Sequence, residues 1–172
     1  MKIIGLLSDT HGYLDPEIID FFSDTDEIWH AGDIGSEYVL EQLELLKPVR
    51  AVYGNIDDQK IRLRTKEHLI FKTEGIKVWI THIGGYPGKY DPKVKPDIFN
   101  DPPKLFISGH SHILKVMNDK TLGLLHINPG AAGNKGIHKV ITAVKFEIGE
   151  GKISNLLVFE KNRKNSGNMI GW

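Results

Sequence analysis

Side chains of the types that bind divalent metal ions stand at five separated places in the chain. These places are Asp9-Thr10-His11, Gly32-Asp33, Gly54-Asn55, Thr81-His82 and Gly109-His110-Ser111-His112. In the Asp-x-His and His-x-His patterns, residues two apart in an extended segment project to the same face, so both side chains can turn toward one ion. Carboxylate, amide and imidazole ligands without cysteine suit ions such as Mn²⁺, Fe²⁺ or Zn²⁺. This inventory exceeds what one ion needs and suits two ions.

The elements that must position these side chains follow from the hydrophobic pattern. The first third of the chain alternates strand and helix, with strands predicted at 2–8, 27–31 and 49–53 and helices beginning at Pro16 and Ser36-Glu37. Continuous apolar runs of this length are typical of strands buried on both faces. The alternation predicts a parallel sheet with crossover helices.

The second half of the chain is richer in strands and turns. Strands are predicted at 69–73, 76–81, 105–108, 113–117, 122–127, 138–147 and 152–159. Residues 83–103 are predicted to form a long loop with room for one short helix, and such long loops are usually functional. Each of the five polar patterns follows a predicted strand. Because sites in open α/β sheets form at the carboxyl ends of strands, these patterns can converge on one crevice.

Composition excludes several functional classes. The 172 residues include 22 Lys+Arg and 22 Asp+Glu, so the chain has no broad electrostatic footprint for nucleic acid. The chain has no cysteine, which excludes disulfides, thiolate metal sites and a cysteine nucleophile. We expect a single domain over residues 1–172, with residues 161–172 as a frayed tail. Because no run reaches the roughly 20 apolar residues of a membrane span and no signal peptide is recognisable, we expect a cytoplasmic protein.

The polar patterns, taken together and in order, resemble those of a known superfamily. Asp9-x-His11, Gly32-Asp33, Gly54-Asn55-x-Asp57, His82 and Gly109-His110-Ser111-His112 are similar to the motifs of the calcineurin-like metallophosphoesterases. The short spacing and Asn128-Pro129-Gly130 resemble the small prokaryotic phosphodiesterase subgroup, over roughly residues 1–160. The resemblance implies an α/β fold, a four-layer α/β/β/α sandwich of two mixed β-sheets flanked by helices.

The resemblance also divides the ligands between two divalent ions. It implies that Asp9, His11 and His112 bind the first ion, that Asn55, His82 and His110 bind the second, and that Asp33 bridges both. We expect Mn²⁺, although Fe, Zn, Ni or Mg are compatible with these ligands. The implied function is a binuclear phosphoesterase, foremost a phosphodiesterase, in which a metal-bridging hydroxide attacks phosphorus. Asp33, Asn55, His11 and Asp57 are the expected catalytic residues.

The residue after Gly54-Asn55 departs from many members of the superfamily. They place a histidine there, which can assist the leaving group, whereas this chain has Ile56. Isoleucine donates no proton, so leaving groups of high pKa should depart slowly unless Asp57, Asp58 or His11 serves as the acid. Ile56 therefore favours phosphodiesters with good leaving groups. Asp57 is open between two interpretations, a residue that orients metal-bound groups and a turn or helix-cap carboxylate.

The remaining candidates have weaker support. Three residues of the 83–103 loop could contact the substrate or face solvent, namely Tyr86, Lys89 and Tyr90. The other histidines are predicted to be structural or surface residues, namely His30 in the core and His68, His126 and His138.

Three functional hypotheses follow from these residues. In the first, the enzyme hydrolyses a small phosphodiester or nucleotide-like substrate, as a monomer or homodimer, without a stable nucleic-acid complex or membrane contact. In the second, the chain is a protein-binding scaffold, like a retromer subunit of the same fold whose metal site has eroded. In the third, short oligonucleotides or cyclic nucleotides are the substrates. The presence of all seven predicted ligands favours an enzyme.

Overall fold

Two mixed five-stranded β-sheets form the framework of the computed structural model, which describes residues 1–163. The strands are β1 (Lys2–Leu7), β2 (Glu27–His30), β3 (Val49–Ala51), β4 (His68–Thr73), β5 (Ile76–Thr81), β6 (Gly85–Tyr86), β7 (Lys89–Tyr90), β8 (Leu105–Ile107), β9 (Leu114–Asp119), β10 (Leu124–Pro129), β11 (Val140–Gly149) and β12 (Lys152–Asn162). The helices are α1 (Pro16–Phe21), α2 (Glu37–Leu46), α3 (Gln59–Arg64) and α4 (Lys95–Asn100).

The first sheet has the order β12-β11-β1-β2-β3. Strands β1, β2 and β3 are parallel, as the sequence predicts. Strand β11 pairs antiparallel with β1, and β12 pairs antiparallel with β11. The crossover helices begin at the predicted caps, where the Asp15 side chain accepts the N–H of Glu17 and Ser36 accepts that of Tyr38. These caps satisfy backbone donors that have no partner within the first turn of a helix.

The second sheet has the order β4-β5-β8-β10-β9. Its three central strands are parallel, and the edge strands β4 and β9 are antiparallel to their neighbours. The central strands are almost entirely buried, whereas β4 alternates exposed and half-buried residues, as an edge strand with one solvated face does.

The core lies in three layers that separate four layers of secondary structure. The central layer packs the two sheets face to face and contains Ile4, Leu6, Trp29 and Phe146 of the first sheet with Val78, Ile80, Leu105 and Ile127 of the second. Helices α1 and α2 cover the outer face of the first sheet through Ile18, Val39, Leu40 and Leu43. Helix α4 covers the second sheet through Ile98 beside Trp79 and Phe106. The four-layer sandwich predicted from the sequence is therefore confirmed.

Three features of the fold differ from the sequence prediction. Helix α3 is not predicted, because Ile61 is the one buried residue among its six and leaves no apolar periodicity. The 83–103 segment contains α4, the one short helix for which the prediction leaves room, and also the short β6–β7 hairpin, which is not predicted. Strand β12 continues to Asn162, so Lys161 and Asn162 are not part of a tail, and residues 164–172 lie outside the described residues. Within residues 1–163, every helix is too short or too polar to cross a membrane.

Candidate metal centre

The predicted polar patterns meet where corresponding ends of the two sheets lie together. Backbone hydrogen bonds tie the loops that follow neighbouring strands: Asp9 N–H donates to the carbonyl of Gly32 (2.9 Å), and Gly109 N–H donates to that of His82 (2.9 Å). The first bond joins two loops of the first sheet, and the second bond joins two loops of the second sheet. Between the sheets, the backbone N–H of His110 donates to the Asp9 carboxylate at 3.1 Å. The loops after β1, β2, β5 and β8 therefore form one crevice.

Asp9, His11 and His112 form the first of two groups of ligand-type side chains. One ligand atom of each residue lies within 4.8 Å of the others. Asp9 Oδ1 is 3.2 Å from His112 Nε2 and 3.8 Å from His11 Nε2. Asp9 is buried and the two histidines are half-buried, so the group opens to solvent on its imidazole side.

Asp33, His82 and His110 form the second group by the same distance criterion. Asp33 Oδ2 lies 3.2 Å from His82 Nε2. The rings of His82 and His110 meet edge to face, with centroids 5.2 Å apart. Asp33 and His82 are buried, whereas His110 is exposed at the mouth of the crevice.

The two groups are adjacent, and their carboxylates face one another's histidines. Asp33 Oδ2 lies 3.6 Å from His11 Nε2 in the first group, and Asp9 Oδ1 lies 3.9 Å from His82 Nε2 in the second. Six ligand-type residues thus surround one small volume, in two sets that share a boundary.

Each carboxylate has one oxygen committed to the protein and the other directed at imidazole nitrogens. Asp9 Oδ2 accepts hydrogen bonds from Ser8 Oγ (2.6 Å) and the N–H of His110 (3.1 Å). Asp33 Oδ1 accepts the backbone N–H of Ile56 at 3.1 Å. These bonds fix the orientation of both carboxylates and leave Asp9 Oδ1 and Asp33 Oδ2 toward the histidines.

Buried polar atoms without hydrogen-bond partners concentrate at this place. Within residues 1–163 there are four such side-chain atoms, and three of them are Asp9 Oδ1, His11 Nε2 and His82 Nε2. An unsatisfied buried donor or acceptor costs about 1–3 kcal/mol, so a cluster of three is unusual. All three are atoms that ligate metals, and a divalent cation would satisfy them. The residues present therefore fit a metal ion.

The hydrogen bond of His82 sets which of its ring nitrogens is available to a ligand. His82 Nδ1 lies 2.8 Å from the carbonyl oxygen of Ala31. A carbonyl oxygen only accepts, so Nδ1 carries the proton and the neutral ring presents a bare Nε2 to the crevice. Histidines that bind metals characteristically donate their other N–H to such a carbonyl.

The ligand-type residues sit on an unusual backbone. Among the described residues, eight non-glycine residues have φ in the left-handed region, and five of them belong to the two groups, namely Asp9 (53°), His11 (47°), Asp33 (53°), His110 (71°) and His112 (61°). Each such residue costs of order 1–3 kcal/mol and persists only where the surrounding structure enforces it. Sharp left-handed turns directly after the strands are thus what point these side chains into the crevice.

Asn55 and Asp57 contribute differently from one another. Asn55 is exposed and lines a cavity together with His82. Asp57 is buried, and its carboxylate accepts the N–H groups of Ile34 (3.1 Å), Gly35 (2.8 Å) and Gly54 (2.8 Å). It joins the loops that carry Asp33 and Asn55. Both of its oxygens accept backbone N–H groups, and these bonds hold the two loops together. Of its two interpretations, the turn carboxylate matches these bonds.

The charges of the two groups stabilise one another. Burial opposes ionisation of Asp9, yet the imidazoles of His11 and His112, whose Nε2 atoms lie 3.8 Å and 3.2 Å from Asp9 Oδ1, bring the pKa of Asp9 far below its usual range. Burial likewise opposes ionisation of Asp33, and its contact with His82 lowers the pKa of Asp33. The neighbouring Asp9 carboxylate raises the pKa of His11. The carboxylates of Asp33 and Asp9 raise the pKa of His82 against the effect of its burial. The crevice therefore favours positive charge.

The other histidines divide into core, surface and neighbour of the site. His30 is fully buried and bonded to Thr10 and the backbone of Gly32, and burial lowers its pKa to about 3. His126 is buried and bonded to the carbonyl of Phe106, and His68 is exposed. These three match the prediction.

His138 and Tyr90 do not have the surroundings that the sequence suggests. His138 Nδ1 lies 3.1 Å from His112 Nδ1, so it contacts the first group. No motif in the sequence links these two residues, which lie 26 positions apart. Tyr90 is buried, and its hydroxyl donates to Asp119 at 2.7 Å, which holds the β6–β7 hairpin to β9. This hydrogen bond gives Tyr90 a structural role. Tyr90 also lines, together with Tyr86 and Lys89, an open cavity beside His110.

Sequence comparison identifies relatives in archaea. A probable metallophosphoesterase of Methanothermobacter thermautotrophicus is 31% identical over 136 residues, which cover 75% of this chain and 76% of the relative. A probable metallophosphoesterase of Methanocaldococcus jannaschii is 32% identical over 136 residues, which cover 75% of this chain and 67% of the relative.

Comparison with solved structures supports the fold. An archaeal phosphodiesterase superposes with a TM-score of 0.72 at 23% identity over 91% of this chain and 99% of its own. Vps29 of Entamoeba histolytica, solved as a complex with Zn²⁺, superposes with a TM-score of 0.72 at 16% identity over 94% of this chain and 99% of its own. At these identities the likeness shows the fold alone. The sequence profile of the calcineurin-like phosphoesterase superfamily domain matches residues 1–151, and the chain belongs to this superfamily.

Proposed function

We propose that the chain is a metal-dependent phosphodiesterase that uses two divalent ions. The observation that carries this proposal is the pair of adjacent ligand groups, whose Asp9 Oδ1, His11 Nε2 and His82 Nε2 are buried without hydrogen-bond partners. Two bound ions would supply positive charge against the phosphoryl oxygens and make hydroxide available from water at neutral pH. We take Mn²⁺ as the first ion to test, because oxygen and imidazole ligands occur together.

The roles proposed for the ligands follow their positions. Asp9, His11 and His112 would hold one ion, and Asn55, His82 and His110 would hold the other. We propose Asp33 as the ligand shared by both ions. Its support is that Asp33 Oδ2 lies 3.2 Å from His82 and 3.6 Å from His11, which are in different groups, while the N–H of Ile56 fixes the other oxygen.

The proton donors around the leaving group favour diesters. Ile56 is 46% exposed at the mouth of the crevice and donates no proton from its side chain. Asp57 is occupied by backbone N–H groups, and Asp58 caps α3 by accepting the N–H of Ile61. Among the acids considered, only His11 directs a ring nitrogen into the crevice between Asp9 and Asp33. We therefore propose phosphodiesters whose leaving groups need little protonation.

Two cavities flank the centre and suit the two substituents of a diester. The first, of about 310 Å³, is lined by Asn55 and His82 together with the cationic Arg62 and Lys93. The second, of about 380 Å³, is lined by His110. It also contains Tyr86, over whose ring Lys115 Nζ lies at 3.4 Å from the centroid. Both cavities include Ile83, which directly follows His82. A phosphomonoester would use only one of them.

Removal and return of metal tests the proposal. Protein treated with chelator should be inactive toward bis-p-nitrophenyl phosphate and should regain activity with Mn²⁺. The diester should be preferred over p-nitrophenyl phosphate. Asp33→Ala should abolish turnover more completely than Asn55→Ala, because it removes the shared ligand. Asp97→Ala, on the exposed side of α4, is the matched control and should be unaffected. Equal residual rates for the Asp33 and Asn55 variants would contradict the bridging role.

The scaffold hypothesis is the alternative that the structural likeness to Vps29 proteins favours. It predicts that the crevice binds ions without turnover. A wild-type protein that binds divalent ions stoichiometrically and hydrolyses neither ester with Mn²⁺, Fe²⁺, Zn²⁺, Ni²⁺ or Mg²⁺ would reject the enzyme and favour the scaffold.

A further inference from the structure

We infer that His138 is a positioning residue for the metal centre: it accepts the Nδ1–H of His112 and thereby turns His112 Nε2 toward Asp9. The two ring nitrogens lie 3.1 Å apart, and the rings meet edge to face with centroids 5.0 Å apart. On its other side, His112 Nε2 lies 3.2 Å from Asp9 Oδ1. The inference rests on the proposed metal site, and it assigns a role to a residue outside the six ligand-type side chains.

The hydrogen-bond chain fixes which nitrogen carries each proton. His138 Nε2 lies 2.7 Å from the carbonyl oxygen of Gly133. A carbonyl only accepts, so the proton of His138 is on Nε2, and the Nδ1 of the neutral ring has a lone pair. His112 must then donate from Nδ1, which leaves its Nε2 bare and able to ligate a cation. His138 thus accepts the Nδ1 proton of His112, just as the carbonyl oxygen of Ala31 accepts the Nδ1 proton of His82.

The contacts close into a ring that includes Asp9. Gly133, whose carbonyl accepts from His138, donates its own N–H to the carbonyl of Asp9 at 3.1 Å. The side chain of Asp9 in turn faces His112. These contacts therefore help to set the distance between Asp9 and His112, which are proposed to bind the same ion. His138 contributes to this although it is not itself a proposed ligand.

Gly136 provides independent evidence that the 133–138 segment is shaped around the two imidazoles. A Cβ atom at Gly136 would lie 2.6 Å from His112 Nδ1 and 3.1 Å from His138 Nδ1. Its carbonyl oxygen accepts Arg163 Nη1 at 2.8 Å, which fastens the segment to the residue after β12. The backbone thus packs directly against the His112–His138 pair, and Gly136 also has a left-handed φ of 118°.

The test compares variants that keep or remove the acceptor. His138→Leu fills similar space without an acceptor, and His138→Gln retains both an acceptor and a donor. Competition with a chromophoric chelator, using Zn²⁺ and then Mn²⁺, should show two equivalents bound to the wild type. In His138→Leu, one equivalent should weaken roughly 10–100-fold, as loss of such a supporting partner does, while the other is unchanged. His138→Gln should recover most of that affinity. His68→Leu, at an exposed histidine, is the control and should bind as the wild type does.

A spectroscopic measurement separates this inference from the proposed function. In metal-free protein labelled with ¹⁵N-histidine at pH 8, His112 should carry its proton on Nδ1 in the wild type and lose this preference in His138→Leu. An Nε2-protonated His112 in the wild type would overturn the inference whether or not the protein is an enzyme. Equal metal affinities for wild type and His138→Leu would also overturn it. Failure of the wild type to bind any ion, with the tautomer as expected, would count against the proposed function alone.

Discussion

The α-carbon of Gly54 lies so close to Asp33 that a methyl group attached to it would overlap the Oδ1 atom of the carboxylate. The same added atom would also meet the backbone nitrogen of Asp33. Glycine is therefore required before Asn55 by contact with a proposed ligand, not by its own φ angle. The loop after β3 and the loop after β2 are in van der Waals contact only because residue 54 has no side chain.

Gly54→Ala should therefore disable the metal centre. We expect loss of both bound equivalents or a weakening of at least about tenfold, with activity falling in parallel, because the carboxylate proposed to bridge the ions must move. Metal titration and diester hydrolysis measure the effect. Gly88→Ala is the control for metal binding, since a Cβ there has no atom within 4 Å, although its φ of 86°, unlike that of Gly54, is left-handed. Wild-type metal binding by Gly54→Ala would show that Asp33 can shift without consequence.

His110→Gly should stabilise the metal-free protein while it removes a proposed ligand. His110 is exposed with a φ of 71°, and a left-handed backbone costs a non-glycine residue roughly 1–2 kcal/mol. In urea with chelator present, we expect a gain of about 1 kcal/mol. Glu150→Gly, at a turn with a φ of 51°, should gain similarly without altering metal binding. If His110→Gly is less stable than the wild type without metal, then the backbone at this position is not strained.

Asp57→Asn should weaken the fold before it alters the chemistry. The carboxylate accepts three backbone N–H groups, and the amide can accept on one side only, so we expect a loss of roughly 1–3 kcal/mol. Asp58→Asn is a milder control, because it removes one acceptor at a helix cap and leaves the crevice unchanged. Urea unfolding gives the stability, and the pH dependence of kcat gives the chemistry. An unchanged stability with loss of one limb of the pH profile would instead make Asp57 a proton donor.

Acidification should destabilise the metal-free protein through its buried histidines. Burial lowers the pKa of His126 to about 4 from an unfolded value near 6.5. The folded state therefore resists protonation, and stability present above pH 6.5 is lost as pH falls toward 4, by about 1.4 kcal/mol per pH unit for this group. His30 acts in the same direction, with a pKa lowered to about 3. The raised pKa values of His11 and His82 affect the free energy of unfolding in a higher pH range. Their stabilising contribution is complete below pH 6.5 and is lost as the pH rises above that value.

His126→Phe isolates this effect. The variant cannot titrate, so its stability should fall less steeply than that of the wild type between pH 6.5 and 4.5. Unfolding by urea in the presence of chelator, at half-unit pH steps, gives the two slopes. His68→Phe makes the same exchange of side chain at an exposed histidine and is the control for introducing a phenyl ring. Parallel curves for wild type and His126→Phe would mean that His126 is protonated as easily in the folded state as in the unfolded state.

The features that the sequence predicts correctly are those that depend on neighbouring residues in the chain, such as buried strands and helix caps. The apolar run before Asp9 and the one before Asp33 indicate buried parallel strands, and the carboxyl ends of parallel strands meet at one edge of a sheet. Convergence of the ligand-type residues follows from that rule. The helix caps at Asp15 and Ser36 are equally local and are also found where predicted.

The parts that the sequence does not reveal are contacts between distant segments. His82 bonds to a carbonyl 51 residues away, and His138 bonds to His112 across 26 residues. A backbone acceptor has no residue type to recognise, and a lone histidine near Gly136 has no motif. The hydroxyl of Tyr90 donates to Asp119, which lies 29 residues away in the chain. This contact depends on how the β6–β7 hairpin packs against β9. Tertiary packing decides these positions.

Each ligand group combines residues from both sheets. Asp9, His11 and Asp33 follow strands of the first sheet, whereas His82, His110 and His112 follow strands of the second. Neither sheet by itself contains a complete set. A chain in which only the first sheet has formed would lack His82, His110 and His112. One in which only the second sheet has formed would offer imidazoles without a carboxylate, and either partial set should hold ions weakly. Capture of an ion by both groups should therefore follow the docking of the two sheets in time. The rate of metal uptake during refolding would then report the final assembly step of the molecule.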